Sequence, residues 1–145
     1  MSELKTRLQS DLTDARKSRD KARTLVLSTT LSELRNREIE LGAEASDEEV
    51  LQVLTRAIKQ RIDAAEQMRS GDREDLAANE EAQAALLQAY LPEQLSADEV
   101  RDIIGEILGG GAPDMGAVMG QLMPRIRGRF DGKAANALVR EMMEG

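Results

Sequence analysis

Most of the side chains that could do chemistry in this 145-residue chain are charged. It has no His, Cys or Trp, one Tyr (Tyr90) and one Phe (Phe130). The lack of His removes the commonest general base and transition-metal ligand. The lack of Cys removes thiol nucleophiles, thiolate zinc sites and disulfides. Acid pairs such as Glu48-Glu49 and Glu80-Glu81 lie in helical sequence and read as solvated surface charge. A glycosidase-type pair needs a cleft, usually with sugar-stacking aromatics, and two aromatics in the whole chain argue against one. Asp72-Arg73-Glu74-Asp75-Leu76 lacks the alternating ligands and closing Glu of a calcium loop. Gly132-Lys133 precedes Ala134, where a phosphate loop needs Ser or Thr for magnesium, and no buried strand leads into it. No catalytic residue, metal site or cofactor is expected.

Two basic runs remain, in a chain whose 27 acids and 20 bases leave a net charge of −7. Arg125, Arg127, Arg129 and Lys133 face only Asp131, a local balance of +3 around Gly128 and Gly132. Arg16, Lys17, Arg19, Lys21 and Arg23 face only Asp20, a balance of +4. The chain as a whole is too acidic for nonspecific nucleic-acid binding, but a local patch can still engage phosphates, and Arg at a glycine turn can approach a backbone closely. The competing reading is that the glycines serve turn geometry and the arginines cover neighbouring helix ends.

The elements that carry these runs are helices. Ala, Leu, Glu and Arg favour helix, and the β-branched and aromatic residues typical of strands are scarce. From Ser2, an N-cap, Leu4, Leu8, Leu12 and Ala15 form a narrow apolar stripe. After the basic run, Leu27, Leu31, Leu34 and Leu41, widened by Val26 and Ile39, predict a second helix that ends at Gly42. Ser46-Asp47-Glu48-Glu49 reads as a capping box opening a third, and Gly71 as its stop. An Ala-rich fourth helix from about Arg73 breaks near Leu91-Pro92, and its small side chains suit the centre of a bundle. Ser96-Ala97-Asp98-Glu99 is a second capping box. Met115, Val118, Met119, Leu122, Met123 and Ile126 form a regular core stripe, which Pro124 should end or kink. After the turn from Gly128 to Lys133 comes a last helix with Ala135, Leu138, Val139 and Met142. The expectation is an all-α fold: about four helices over residues 1–92, then a three-helix domain over 93–145. No apolar run reaches the ~20 residues of a membrane span, and MSELKTRLQSDL has no apolar h-region. A cytoplasmic protein with no membrane partner is expected.

Several collinear segments resemble the GatB/YqeY family, specifically its stand-alone YqeY-like members. They are Leu34-Arg35-Asn36-Arg37-Glu38-Ile39-Glu40, Lys59-Gln60-Arg61, Arg73-Glu74-Asp75-Leu76-Ala77, and Leu87-Gln88-Ala89-Tyr90-Leu91-Pro92-Glu93-Gln94-Leu95-Ser96. The most specific are Met115-Gly116-Ala117-Val118-Met119-Gly120, Leu122-Met123-Pro124 and Gly128-Arg129-Phe130-Asp131-Gly132-Lys133, where Phe130 departs from the small residue expected. The resemblance implies an all-α, two-part fold related to the tail of the GatB subunit of tRNA-dependent amidotransferase, where the module helps hold tRNA. That enzyme's phosphorylation, amidation and glutamine hydrolysis lie in parts that this sequence does not contain. A label of carbon–nitrogen ligase with glutamine as amido-N-donor would therefore reach this chain by inheritance, without residues to support it.

The expected function is a non-catalytic tRNA-binding or tRNA-metabolism module. Arg125, Arg127, Gly128, Arg129, Asp131, Gly132 and Lys133 would form its RNA-contacting turn, and Arg16, Lys17, Arg19, Lys21 and Arg23 a second basic contact. The alternative is a protein–protein adaptor of the aminoacyl-tRNA or translation machinery.

Overall fold

A computed structural model describes residues 2–144. Among them are seven α-helices and no strand: α1 (Glu3–Lys17), α2 (Lys21–Leu41), α3 (Asp47–Ser70), α4 (Glu74–Gln88), α5 (Ala97–Gly109), α6 (Met115–Ile126) and α7 (Gly132–Glu144). The all-α expectation holds. The chain divides into two compact units, Met1–Leu91 and Pro92–Gly145, and each has its own apolar cluster.

In the first unit α1 pairs with α2, and α3 forms its most extensive contact with α4. The short connection Gly71-Asp72-Arg73 makes α3 and α4 an antiparallel hairpin. Ala57 and Ala65 on α3 and Ala77 and Ala84 on α4 are all buried, and side chains this small let two helix backbones approach closely. Arg61 fastens the pair by donating to the Ala57 carbonyl at 2.9 Å and to Gln83 at 3.3 Å. α4 is less central than its alanines suggested: it buries Ala77, Ala84 and Leu87 and leaves Leu76 and Leu86 exposed. The core of this unit is built from Leu8, Leu27, Leu34, Val50, Leu54 and Leu87, with Ala45 and Tyr90 buried in the same cluster. Ile39 and Leu41, expected to widen the buried face of α2, are 72% and 42% exposed.

Helix boundaries follow capping chemistry, with informative exceptions. Gly42 takes the left-handed conformation (φ 68°) and donates back to the Glu38 carbonyl at 2.9 Å, a C-terminal glycine cap. At the end of α3 the left-handed residue is instead Asp72 (φ 60°), while Gly71 keeps φ −93°. Asp is among the residues that tolerate that region. Ser96 and Glu99 form a complete, reciprocal capping box. The one at Ser46 is half-formed: Ser46 accepts from the Glu49 N–H, but the Glu49 carboxylate has turned to Arg37, 3.2 Å away. An ion pair with a neighbouring helix has outcompeted the local motif.

Two carboxylates tie the α2–α3 connection to α1. Glu38 accepts from the buried Ala45 N–H at 2.8 Å and from the Lys5 ammonium at 2.9 Å, which hold it below the usual carboxylate range. Asp47 accepts from the Ser2 hydroxyl and the Leu4 N–H, with the same effect on its titration.

In the second unit α5, α6 and α7 pack against one another around Val100, Ile104, Val118, Leu122, Ile126, Ala135 and Val139. The methionines of the α6 stripe, Met115, Met119 and Met123, are half-buried against this cluster, as core filler. α6 continues two residues past Pro124. Phe130 also packs on this core, so its ring serves the fold more than it offers a free stacking surface.

Candidate nucleic-acid interface

The basic turn after α6 is held by a segment more than thirty residues earlier in the chain. Gly128 takes φ 73°, a left-handed conformation that favours glycine. Its carbonyl accepts from the Gln94 side chain at 2.8 Å. The Arg129 Nε donates to the Glu93 carbonyl at 3.0 Å, and the Arg129 carbonyl accepts from the Leu95 N–H at 2.8 Å. The strap 93–95 and the turn 128–129 thus stitch together two of the segments that carried the resemblance. Glu93, Gln94 and Leu95 were assigned no role from sequence. Only their membership of those segments marked them, because a contact across 34 residues has no local signature.

Within this turn the expected RNA-contacting residues have diverse occupations. Arg125 is exposed and ion-paired with Glu106 of α5 at 3.1 Å. Arg127 is half-buried where α6 ends. Arg129 is occupied by the strap. Asp131 is the N-cap of α7: its carboxylate accepts from the Ala134 N–H at 2.9 Å, and its carbonyl from the Ala135 N–H at 2.9 Å. Gly132 and Lys133, read from sequence as turn, form the first residues of α7 instead. Lys133 is exposed and makes no ion pair among the described residues.

The cap can be separated from any contact with RNA. Replacing Asp131 by Ala is expected to destabilise the C-terminal unit by about 1 kcal/mol, whereas Asn, which can still cap, should restore most of it. Urea unfolding of both variants, followed by circular dichroism, measures the difference.

The second basic run occupies the corner between α1 and α2. Arg16 and Lys17 end α1, Arg19 sits in the turn with φ 60°, and Lys21 opens α2. All four are exposed, and none has an ion-pair or hydrogen-bond partner for its side chain among the described residues. The corner's backbone is firmly tied. Asp20 N–H donates to the Ala15 carbonyl at 2.9 Å, Arg19 N–H to the Arg16 carbonyl at 3.2 Å, and the Asp20 carboxylate caps α2 by accepting from the Arg23 N–H at 3.1 Å. Arg23 does not join the other four. Its guanidinium lies 3.8 Å from Asp11, inside a cluster in which the Tyr90 hydroxyl donates to Asp11 and Arg7 stacks 4.7 Å over the Tyr90 ring.

A third feature, not anticipated, is an open groove of about 490 Å³ between α2 and α3, lined by Glu33, Asn36, Arg37, Glu40, Arg56 and Gln60 among others. Its bases are matched by acids, and Arg37 is already committed to Glu40 and Glu49, at 3.4 and 3.2 Å. A balanced groove of this kind offers little attraction to a polyanion. Among the described residues no three acidic side chains are grouped to hold a metal ion, and no helix is long and apolar enough to cross a membrane.

Comparison with known proteins agrees with the resemblance read from sequence. A family model described as Yqey-like protein matches residues 5–143. An uncharacterized protein of Schizosaccharomyces pombe is 38% identical over 89 residues, which cover 61% of this chain and 72% of the relative. A protein of Pyrenophora tritici-repentis named "Altered inheritance of mitochondria protein 41, mitochondrial" is 30% identical over 128 residues, covering 85% of this chain and 71% of the relative.

Proposed function

We propose, from the premise that this chain belongs to the YqeY-like family, that it is a non-catalytic RNA-binding accessory module, with tRNA the ligand that the family resemblance implies. The observation that carries this reading is the pairing of two rigid, base-bearing turns with an otherwise acidic surface. Localised positive charge on a fixed backbone suits recognition of folded RNA, whose duplexes are read through phosphates, ribose and shape more than through base edges. The near absence of aromatics speaks against single-strand binding by base stacking.

The test is titration of a labelled tRNA transcript at 25 and 200 mM KCl. The wild-type chain should bind at low salt and lose affinity steeply as salt rises. Combined replacement of Arg127, Arg129 and Lys133 by Ala should weaken binding several-fold, and unchanged binding would remove this turn from the interface. Absence of binding by the wild type at 25 mM overturns the reading.

A second reading, an adaptor docking on a protein of the translation machinery, is favoured by the exposure of Leu25 and Ile39 on α2, 61% and 72%. A partner recovered by pull-down after nuclease treatment, and lost when Ile39 is replaced by Glu, would support it. The cytoplasm is the proposed location. Imaging of a tagged chain decides between it and the mitochondrion named for one relative.

A further inference from the structure

We propose that the α1–α2 corner, and not the glycine turn after α6, is this protein's principal contact with the phosphate backbone of a folded RNA. The inference rests on the RNA-binding reading above and names the surface that dominates it.

The two basic segments differ in what their side chains are already doing. Arg16, Lys17, Arg19 and Lys21 lie within six residues, exposed and without side-chain partners among the described residues, so a phosphate can reach them without breaking an ion pair. In the glycine turn Arg125 must leave Glu106, and Arg129 must release the Glu93 carbonyl. Charge-assisted bonds of this kind offset much of what a new phosphate contact contributes. At physiological salt the screening length is about 8 Å, so an approaching phosphate feels the local patch far more than the net charge of −7. The acids near the corner in sequence are Asp14 and Asp20, and Asp20 is engaged as the cap of α2.

Helix stability alone explains only half of this arrangement. Arg16 and Lys17 suit the C-terminus of α1, where the helix dipole favours positive charge. Lys21 lies in the first turn of α2, where the dipole opposes it and no acid of that turn offsets it; α1, α3, α4 and α5 carry acids in that turn, whereas α2, α6 and α7 carry none. Arg19 holds a left-handed conformation that a residue with a side chain adopts at a cost. Residues that work against local stability while projecting unpaired charge fit a surface kept for a polyanion.

The experiment uses the full chain, a labelled tRNA transcript, a 20-base-pair RNA duplex and vesicles containing phosphatidylserine as probes. Fluorescence anisotropy is measured between 50 and 200 mM KCl. Four phosphate contacts should reduce wild-type affinity for RNA roughly 50- to 150-fold over this range. Joint replacement of Arg16, Lys17, Arg19 and Lys21 by Gln, which keeps helix propensity and the Asp20 cap, should weaken binding at 50 mM on the order of 100-fold and flatten the salt dependence. Joint replacement of Arg125 and Lys133 by Gln should weaken it less than about tenfold. Circular dichroism confirms that both variants are folded. Corner-variant affinity within twofold of wild type overturns the proposal and leaves the RNA reading standing. No RNA binding by the wild type overturns both, and binding to the vesicles alone assigns the patch to a lipid surface and overturns both.

Discussion

Leu122→Ala is expected to destabilise the C-terminal unit by about 3 kcal/mol. Leu122 is fully buried on α6 and packed in the apolar cluster of that unit. Truncating it removes transfer free energy and leaves a cavity, and a close-packed three-helix core has few ways to collapse around it. In a unit of this size that loss is a large share of the total stability. The chain carries its own probe for locating the effect. Its one tyrosine, Tyr90, belongs to the first unit, so tyrosine fluorescence follows that unit, whereas far-ultraviolet circular dichroism reports on every helix. The dichroism transition should begin at lower urea in the variant, with the fluorescence transition unmoved. Leu54→Ala, in the core of the first unit, should move the fluorescence transition instead. A common shift of both signals in either variant would show that the two units unfold as one.

The second large effect is an alkaline loss of stability in the first unit. Tyr90 is 7% exposed, and its hydroxyl donates to Asp11 at 2.5 Å. Burial first, then the bond to the Asp11 carboxylate, pushes the phenol up to about 12. A folded-state value above the ordinary ~10 means that the folded unit favours the neutral phenol. The associated stability is therefore complete below pH 10 and is lost as pH rises from 10 through 12. The loss amounts to roughly 2 kcal/mol. Tyr90→Phe should abolish this tyrosine-linked part of the alkaline dependence and cost about 1 kcal/mol at neutral pH through the lost hydrogen bond. Tyr90→Ala, which also removes the buried ring, should cost about 3 kcal/mol at neutral pH. Urea unfolding of wild type and Tyr90→Phe between pH 7 and 11.5, taken as a difference so that lysine titration cancels, tests the sign. Parallel curves would show that Tyr90 titrates normally.

Much of the architecture was legible in the amino-acid order because its signals are local. Ser2, Ser46, Ser96 and Asp114 cap helices through their own side chains, and each bond reaches only three residues along the chain. The stripes Val100–Ile104–Ile107 and Val118–Leu122–Ile126 become buried because helical spacing places them on one face. Reading became unreliable where a tertiary partner competed with a local preference. The Glu49 carboxylate left its capping box for Arg37, and Ile39 and Leu41 matched an apolar stripe yet stayed exposed. Asp131, grouped with the basic turn by proximity in sequence, serves as a helix cap.

By itself, then, the sequence determined an all-helical chain, its seven helices and most of their ends, its place in the YqeY-like family and the positions of its two basic runs. The tertiary structure alone decided which of those bases are free. Arg23 and Arg125 are drawn into ion pairs with Asp11 and Glu106, and Arg129 into a bond with the strap at Glu93. Arg16, Lys17, Arg19 and Lys21 are left facing solvent. The physical reason is range: capping and amphipathic spacing act over three or four residues, whereas an ion pair forms between groups that only the fold brings within 4 Å.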